Sequence, residues 1–391
     1  MLKMPHVIPS YSRFPVAFVR GEGVILWDDA GKPYLDFLSG IGVNNLGHSH
    51  PKVVAAIREQ AGTLIHTCNL YRVPLQEALA EALTQSCFAE QVFFCNSGAE
   101  ANEAAIKLAR KTMFDRKQSH RYEIITANNG FHGRTLATLT ATAQDKVQKG
   151  FAPLPTGFKY VPYNNLPAME QAIGEHTAAI LVEPIQGESG IVIPDPGYLP
   201  ALREMADRHD LLLIYDEIQT GMGRSGRFWC HQHHAGAVPD IMTSAKALAS
   251  GIPMGACLTT AKIATAFSAG AHGSTFGGNP LASAAALATM AVINGDGFLQ
   301  SVAEKGDYLL AGLKKIAANH KMVTDVRGCG LLAGVQLNSP AEEAVSICLS
   351  RGLLVSCQMG TIIRMLPPLI VDQEEIDRAL AILSSVLNDL F

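Results

Sequence analysis

Charge is what this sequence has least of. Of its 391 residues, 31 are lysine or arginine and 35 are aspartate or glutamate, together 17% of the chain, and the net charge is −4. No basic field exists to gather nucleic acid or an anionic membrane surface, so neither is expected as a partner. Paired cysteines are lacking as well. Cys68, Cys87, Cys95, Cys230, Cys257, Cys329, Cys348 and Cys357 fall at no C-x-x-C spacing and no repeated interval, which points to reduced thiols in a cytoplasmic protein. Met1-Leu2-Lys3-Met4-Pro5-His6 has one basic residue and no apolar run behind it, so no signal or transit peptide is expected. Long hydrophobic runs are missing too. The uncharged stretch Ile263 to Gly295 is broken by His272, Asn279 and Pro280, and its apolar part, Leu281 to Ile293, is too short to cross a bilayer. A loop followed by a buried alanine-rich helix is expected there. Without internal repeats, solenoid architectures are set aside.

What the chain has in quantity is apolar side chain, 48% of its residues. It must fold compactly, with length for two to three domains of roughly 150 residues each and apolar surface to spare for contacts between subunits. Short apolar runs alternate with helical patterns: Val92 to Phe94 and a helix from Ala99, then Glu123 to Thr126, Ala178 to Val182, Leu211 to Tyr215 and Ile241 to Thr243. The alternation predicts an α/β fold on a mainly parallel sheet covered on both faces. Residues 1–48, with turn signals around a strand from Val24 to Trp27, read as an arm or small subdomain. From about residue 296, a helix over Phe298 to Asn319, strands near Leu331 to Leu337 and a helix from Glu374 read as an α+β domain.

Several segments carry candidate chemistry. Ser97-x-x-Glu100 is a capping box opening a helix through about Lys111. It is either an ordinary cap or an anion site in which the Gly98 and Ala99 amides meet a phosphate. Asp216 and Glu217 end an apolar strand, where ligands sit in open α/β sheets, and alternation sends their side chains opposite ways; one faces the crevice, or one caps the next turn. Gly221-Met-Gly-Arg-Ser-Gly226 fits a dinucleotide fingerprint, with Asp240 as ribose acid, but it follows its strand too late and opens no amphipathic helix. His231, His233 and His234 lack metal-site spacing and read as exposed, so no metal is expected. Lys246, in apolar surroundings, either snorkels or is a desolvated Schiff-base nucleophile.

Taken in order, Asn96 to Glu103, Phe131-His-Gly-Arg-Thr135, Val182-Glu-Pro-Ile-Gln-Gly-Glu188, Asp216-Glu-Ile-Gln-Thr-Gly221, Ala245-Lys246 and His272 to Pro280 resemble the class III pyridoxal-phosphate aminotransferases over essentially the whole chain. The resemblance implies fold type I of the PLP-dependent transferases. That means a large domain, residues 49–295, on a mainly parallel seven-stranded sheet, and a small α+β domain, residues 296–391, joined by segment 1–48. It implies pyridoxal 5′-phosphate bound through Lys246, with Asp216 pairing the ring nitrogen, Phe131 stacking on the ring, and Ile218 and Gln219 beside it. The Ser97-Gly98-Ala99 turn would take the phosphate, completed by Thr275 from the neighbouring subunit of a homodimer. Arg134 and Arg364 would hold substrate carboxylates, with Ser274 also in contact and Glu188 pairing with Arg364. The implied reaction moves an amino group from acetylornithine to 2-oxoglutarate. Ile41, four residues before Asn45-Leu-Gly-His48, stands where ornithine-using members usually have tyrosine, which disfavours free ornithine; succinylornithine and 4-aminobutyrate remain alternative donors. Outside the family the alternatives are a nicotinamide-dependent dehydrogenase and a non-enzymatic assembly protein.

Overall fold

The computed structural model describes residues 6–390; the reading of Met1 to Pro5 lies outside the described residues. At its centre is a seven-stranded sheet in the order Gln91–Cys95, Gly255–Thr259, Ile241–Ser244, Leu212–Asp216, Thr177–Val182, Glu123–Ala127, Phe158–Val161. Gly255–Thr259 runs antiparallel to both neighbours, and the remaining pairs are parallel. Thr177–Val182 and Leu212–Asp216 are buried along their whole length, as strands covered on both faces must be. Leu181 and Ile214 pack with Ala105 and Leu108 of helix Gly98–Asp115. Ile180 and Leu213, pointing the other way, pack with Leu199 and Leu202 of helix Tyr198–Arg208.

Two strands of this sheet were not expected from sequence. Phe158–Val161 is an edge strand carrying Lys159 and Tyr160, so it lacks an apolar run. Gly255–Thr259 starts with glycine and alanine, poor strand formers that tertiary packing overrides. The uncharged stretch behaves as expected: helix Pro280–Ile293 opens with an Asn279 side-chain cap and buries Ala282, Ala285 and Ala286. No single described helix is long and apolar enough to cross a membrane.

A second sheet, ordered Val323–Cys329, Leu332–Leu337, Ile362–Met365, Ser356–Gln358, is covered by helices Phe298–Asn319, Glu342–Ser350 and Gln373–Leu390. The N-terminal hairpin differs in detail from its sequence reading: its strands are Phe18–Glu22 and Ile25–Asp28, followed by Pro33–Asp36. The last of these pairs in parallel with Leu353–Leu354, and Val24, Leu35 and Phe37 join the core of the second sheet. The glycine-rich segment from Gly221 to Gly226 sits at the junction of the two bodies and seats a fully buried arginine. Arg224 donates to the carbonyls of Leu331 and Pro367 and to Asn45 Oδ1, while burial pushes its guanidinium down to about 9. Asp240 accepts from Arg203 and from the Leu213 amide. The segment's glycines therefore serve a turn that seats Arg224 against Asn45, Leu331 and Pro367.

Candidate active site

The C-terminal ends of the parallel strands meet at a cavity of about 230 Å³. Strand Leu212–Asp216 delivers its carboxylate there because the pleat sends Asp216 and Glu217 to opposite sides. Asp216 lines the cavity. Glu217, fully buried, accepts from Thr220 Oγ1, from the Cys230 and His231 amides and from His231 Nδ1. Asp216 is the carboxylate that faces the crevice, and it also takes the Ile218 amide of the following turn, while Glu217 caps the more distant turn at Cys230 and His231. His231, expected to be exposed, is buried against Glu217 at 3.0 Å; a buried carboxylate needs donors, and this ring supplies one.

Asp216 is held by a network that sequence reasoning missed. Its Oδ2 accepts from Asn102 Nδ2 at 2.7 Å and from His132 Nδ1 at 2.8 Å, and Oδ1 accepts the Ile218 amide at 3.1 Å. Thr243 Oγ1 donates to Asn102 Oδ1 at 2.8 Å, which orients the amide with its NH2 toward the carboxylate. Burial would depress the His132 imidazolium, but the hydrogen bond and charge of Asp216, helped by Glu183, outweigh it and raise the pKa above the usual histidine value.

Lys246 follows strand Ile241–Ser244 and lines the same cavity rather than snorkelling outward. Its backbone is left-handed, φ 43°, a conformation costly for a side-chain-bearing residue and concentrated at functional sites. Burial holds its amine below the ordinary lysine range, against the opposing pull of the Glu188 carboxylate.

Across the cavity, Ser97 caps helix Gly98–Asp115, accepting the Glu100 amide at 3.2 Å. The returning half of the expected box shifts by one residue, since the Glu100 carboxylate takes the Asn96 amide. Gly98 and Ala99 line the cavity. A Cβ on Gly98 would lie 2.8 Å from Ile218 Cδ1, so only glycine lets the helix N-terminus and Ile218 approach this closely. Phe131 and Arg134 line the cavity as well, the guanidinium 5.6 Å from the ring centroid. Glu188 Oε1 accepts from Arg364 at 2.7 Å and from Gln219 at 3.1 Å. Burial would raise the Glu188 carboxyl, but the Arg364 and Lys246 charges keep it below the usual range.

Ser274, Thr275 and Ile41 lie outside this cavity. Ser274 and Thr275 border a second cavity of about 470 Å³, with Asn96 donating to Ser274 Oγ; within one chain they do not join the Lys246 cavity. Ile41 is 44% exposed, in a turn where Ser39, Gly40, Ile41 and Gly42 all have positive φ. Such a turn is strained for a β-branched residue. Asp36 Oδ1 pins it by accepting the Leu38 and Ser39 amides, as does the Ser39 hydroxyl on the Leu366 carbonyl.

An amine, a carboxylate and an anion-binding helix end around one cavity, with two arginines near it, equip the site for covalent chemistry on an anionic cofactor and acidic substrates. Comparison with known proteins agrees. Residues 7–387 match the family model for class-III aminotransferases. Acetylornithine aminotransferase of Caldanaerobacter subterraneus subsp. tengcongensis is 48% identical, with 98% of each chain covered. Among solved structures, ornithine aminotransferase from Toxoplasma gondii superposes with a TM-score of 0.95 at 32% identity, covering 98% of this chain and 93% of that one. Acetylornithine aminotransferase from Elizabethkingia anophelis gives 0.88 at 34% identity, covering 98% and 96%. With the motifs in order, the fold type matched and the family model spanning nearly every residue, this chain belongs to the class III aminotransferases.

Proposed function

We propose that the enzyme transfers the terminal amino group of N2-acetyl-L-ornithine to 2-oxoglutarate, giving N-acetyl-L-glutamate 5-semialdehyde and L-glutamate. The observation that carries this reading is the cavity lined by Lys246, Asp216 and Glu188, whose carboxylate holds Arg364 behind it, in a chain 48% identical over nearly its full length to an acetylornithine aminotransferase.

The donor set fits pyridoxal 5′-phosphate. Gly98 and Ala99, at the N-terminus of helix Gly98–Asp115, line the cavity, a setting suited to a phosphate, and Asp216 keeps one oxygen with a single protein donor. When bound, the cofactor supplies an electron-accepting ring that stabilises negative charge on the donor's reacting carbon. Lys246 supplies the amine that carries the cofactor. Once released, the same amine moves the proton at the donor's amine-bearing carbon, a task suited to a lowered pKa. Asp216, held by Asn102 and His132, keeps the ring nitrogen protonated. Phe131 and Gln219, which line the same cavity, would hold the ring between them. Arg134 takes the α-carboxylate with its bidentate fork. Arg364 stays paired with Glu188 while the donor's uncharged chain is bound, and meets the second carboxylate of 2-oxoglutarate in the other half-reaction.

The catalytic unit on this reading is a homodimer. Leu64, Ile65, Leu70, Tyr71 and Phe276 are exposed large apolar residues. Asn69 donates to the Ser274 and Gly277 carbonyls, so these residues lie beside the Thr275 loop, and an apolar patch at that place fits a second copy. Thr275 then reaches the partner's phosphate site. Residues 49–295 form the cofactor-binding domain, and 296–391 with segment 1–48 form the small one.

Purified enzyme tested with acetylornithine, succinylornithine, ornithine and 4-aminobutyrate against 2-oxoglutarate decides the donor. The highest kcat/KM is expected for acetylornithine, and a preference for free ornithine would overturn the reading.

A further inference from the structure

We propose that Glu183 is a positioning residue of this site, a buried carboxylate that staples the Phe131 loop to the Gly187-Glu188 loop and, through the Gly187 backbone, aims Arg364. The inference deepens the aminotransferase reading and rests on it for the roles of Phe131 and Arg364.

Glu183 directly follows strand Thr177–Val182 and is 7% exposed. Its Oε2 accepts the Phe131 amide at 3.0 Å and its Oε1 accepts the Gly187 amide at 3.2 Å. The carbonyl of Gly187 in turn accepts from Arg364 Nη1 at 3.2 Å. Gly187 has no room to move toward the cavity, since a Cβ there would lie 1.8 Å from Gln219 Oε1. Two further bonds tie the same loops: Gln186 Nε2 donates to the Asn128 carbonyl and the Ser189 hydroxyl to that of Asn129. Glu183 alone of these three lines the cavity, and it alone ionises.

A carboxylate accepts with both oxygens, whereas a carboxylic acid turns one of them into a donor. Ionisation of Glu183 therefore decides whether both of its own bonds to the loops are made, over and above those from Gln186 and Ser189. The groups facing it are His132 from the Phe131 loop, Asp216 from the neighbouring strand end, Lys246 across the cavity and Tyr163, whose hydroxyl donates to the Glu183 carbonyl. Burial pushes the Glu183 carboxyl up to about 7, with His132 opposing and Asp216 adding to the rise. The staple is complete above that pH and loses one of its two bonds below it.

The test is amide hydrogen exchange on the full chain without cofactor, followed on peptides covering residues 128–132 and 185–189. Glu183→Gln keeps the shape but replaces one acceptor by a donor, so one of the two peptides should lose protection by roughly tenfold. The wild type should show the same loss at pH 6 relative to pH 8 after correction for intrinsic exchange, a comparison that stands if the variant fails to fold. In the loaded enzyme, kcat/KM for 2-oxoglutarate should fall about tenfold in Glu183→Gln, and the pH profile of the cofactor's absorption should shift. Unchanged exchange in both comparisons overturns the proposal. Because exchange is read without cofactor, a wild-type chain that failed to transaminate would overturn the functional reading and leave the staple standing.

Discussion

Arg364 and Glu188, 176 residues apart in the chain, form an ion pair at 2.7 Å in which the arginine is only 1% exposed. Taking the carboxylate away leaves a buried guanidinium with only uncharged acceptors, the Gly187 carbonyl, the Ser356 hydroxyl and the Gln219 amide oxygen, and an unmatched buried charge is expensive. One pocket can then treat an uncharged chain and a second carboxylate differently, according to which partner the arginine has.

Glu188→Ala should leave Arg364 permanently available to dicarboxylates. Glutamate then reacts more readily as a donor, while the acetylornithine half-reaction gains nothing or slows. Single-turnover kinetics of the two half-reactions check this, and equal slowing of both would reduce Glu188 to packing.

The same pair predicts a pH effect on folding. Because the Glu188 carboxyl is held below its ordinary 4.5, its contribution is fully present above the unfolded value and is lost as pH falls through the lower folded one. Glu188→Gln should cost about 3 kcal/mol at pH 7 by denaturant unfolding. The gap from wild type should shrink as pH drops below about 4.5; a gap independent of pH would separate the cost from the charge.

Lys246→Ala should still bind cofactor through the helix end but lose turnover by about 10⁴-fold or more, since nucleophile and base go together. Borohydride reduction of the wild type and peptide mapping should place the label on Lys246, and a label on any other lysine would refute the assignment.

Mixing Lys246→Ala chains with Thr275→Asp chains should restore activity, because one site of each heterodimer combines an intact lysine with an intact threonine. Random exchange gives about one quarter of the wild-type sites. No recovery after subunit exchange would argue that each chain completes its own site.

The strands that carry Asp216 and Lys246 are legible locally. Leu211 to Tyr215 and Ile241 to Thr243 are apolar runs, Ser97 is a cap, and alternation alone separates Asp216 from Glu217. The edge strand Phe158–Val161 was not legible, because only Val161 is fully buried and Lys159 and Tyr160 dilute its hydrophobic signal. His231 was misread for the converse reason: its partner, Glu217, is not a sequence neighbour, and a histidine's burial depends on whether such a partner exists.

By itself, then, the amino-acid sequence determined the α/β class, the capped helix after Ser97 and the strand that ends in Asp216 and Glu217, all of which follow from short-range periodicity, while a role for Lys246 came only with the ordered motifs of the resemblance. Only the tertiary structure decided which groups those residues meet. Asn102 and His132 converge on Asp216 from 114 and 84 residues away, Glu183 joins two loops, and Ser274 and Thr275 fall outside their own chain's cavity. Hydrogen bonds and ion pairs act over about 3 Å, and the distances that place groups within that range are set by strand order and crossover connections, which local sequence pattern does not encode.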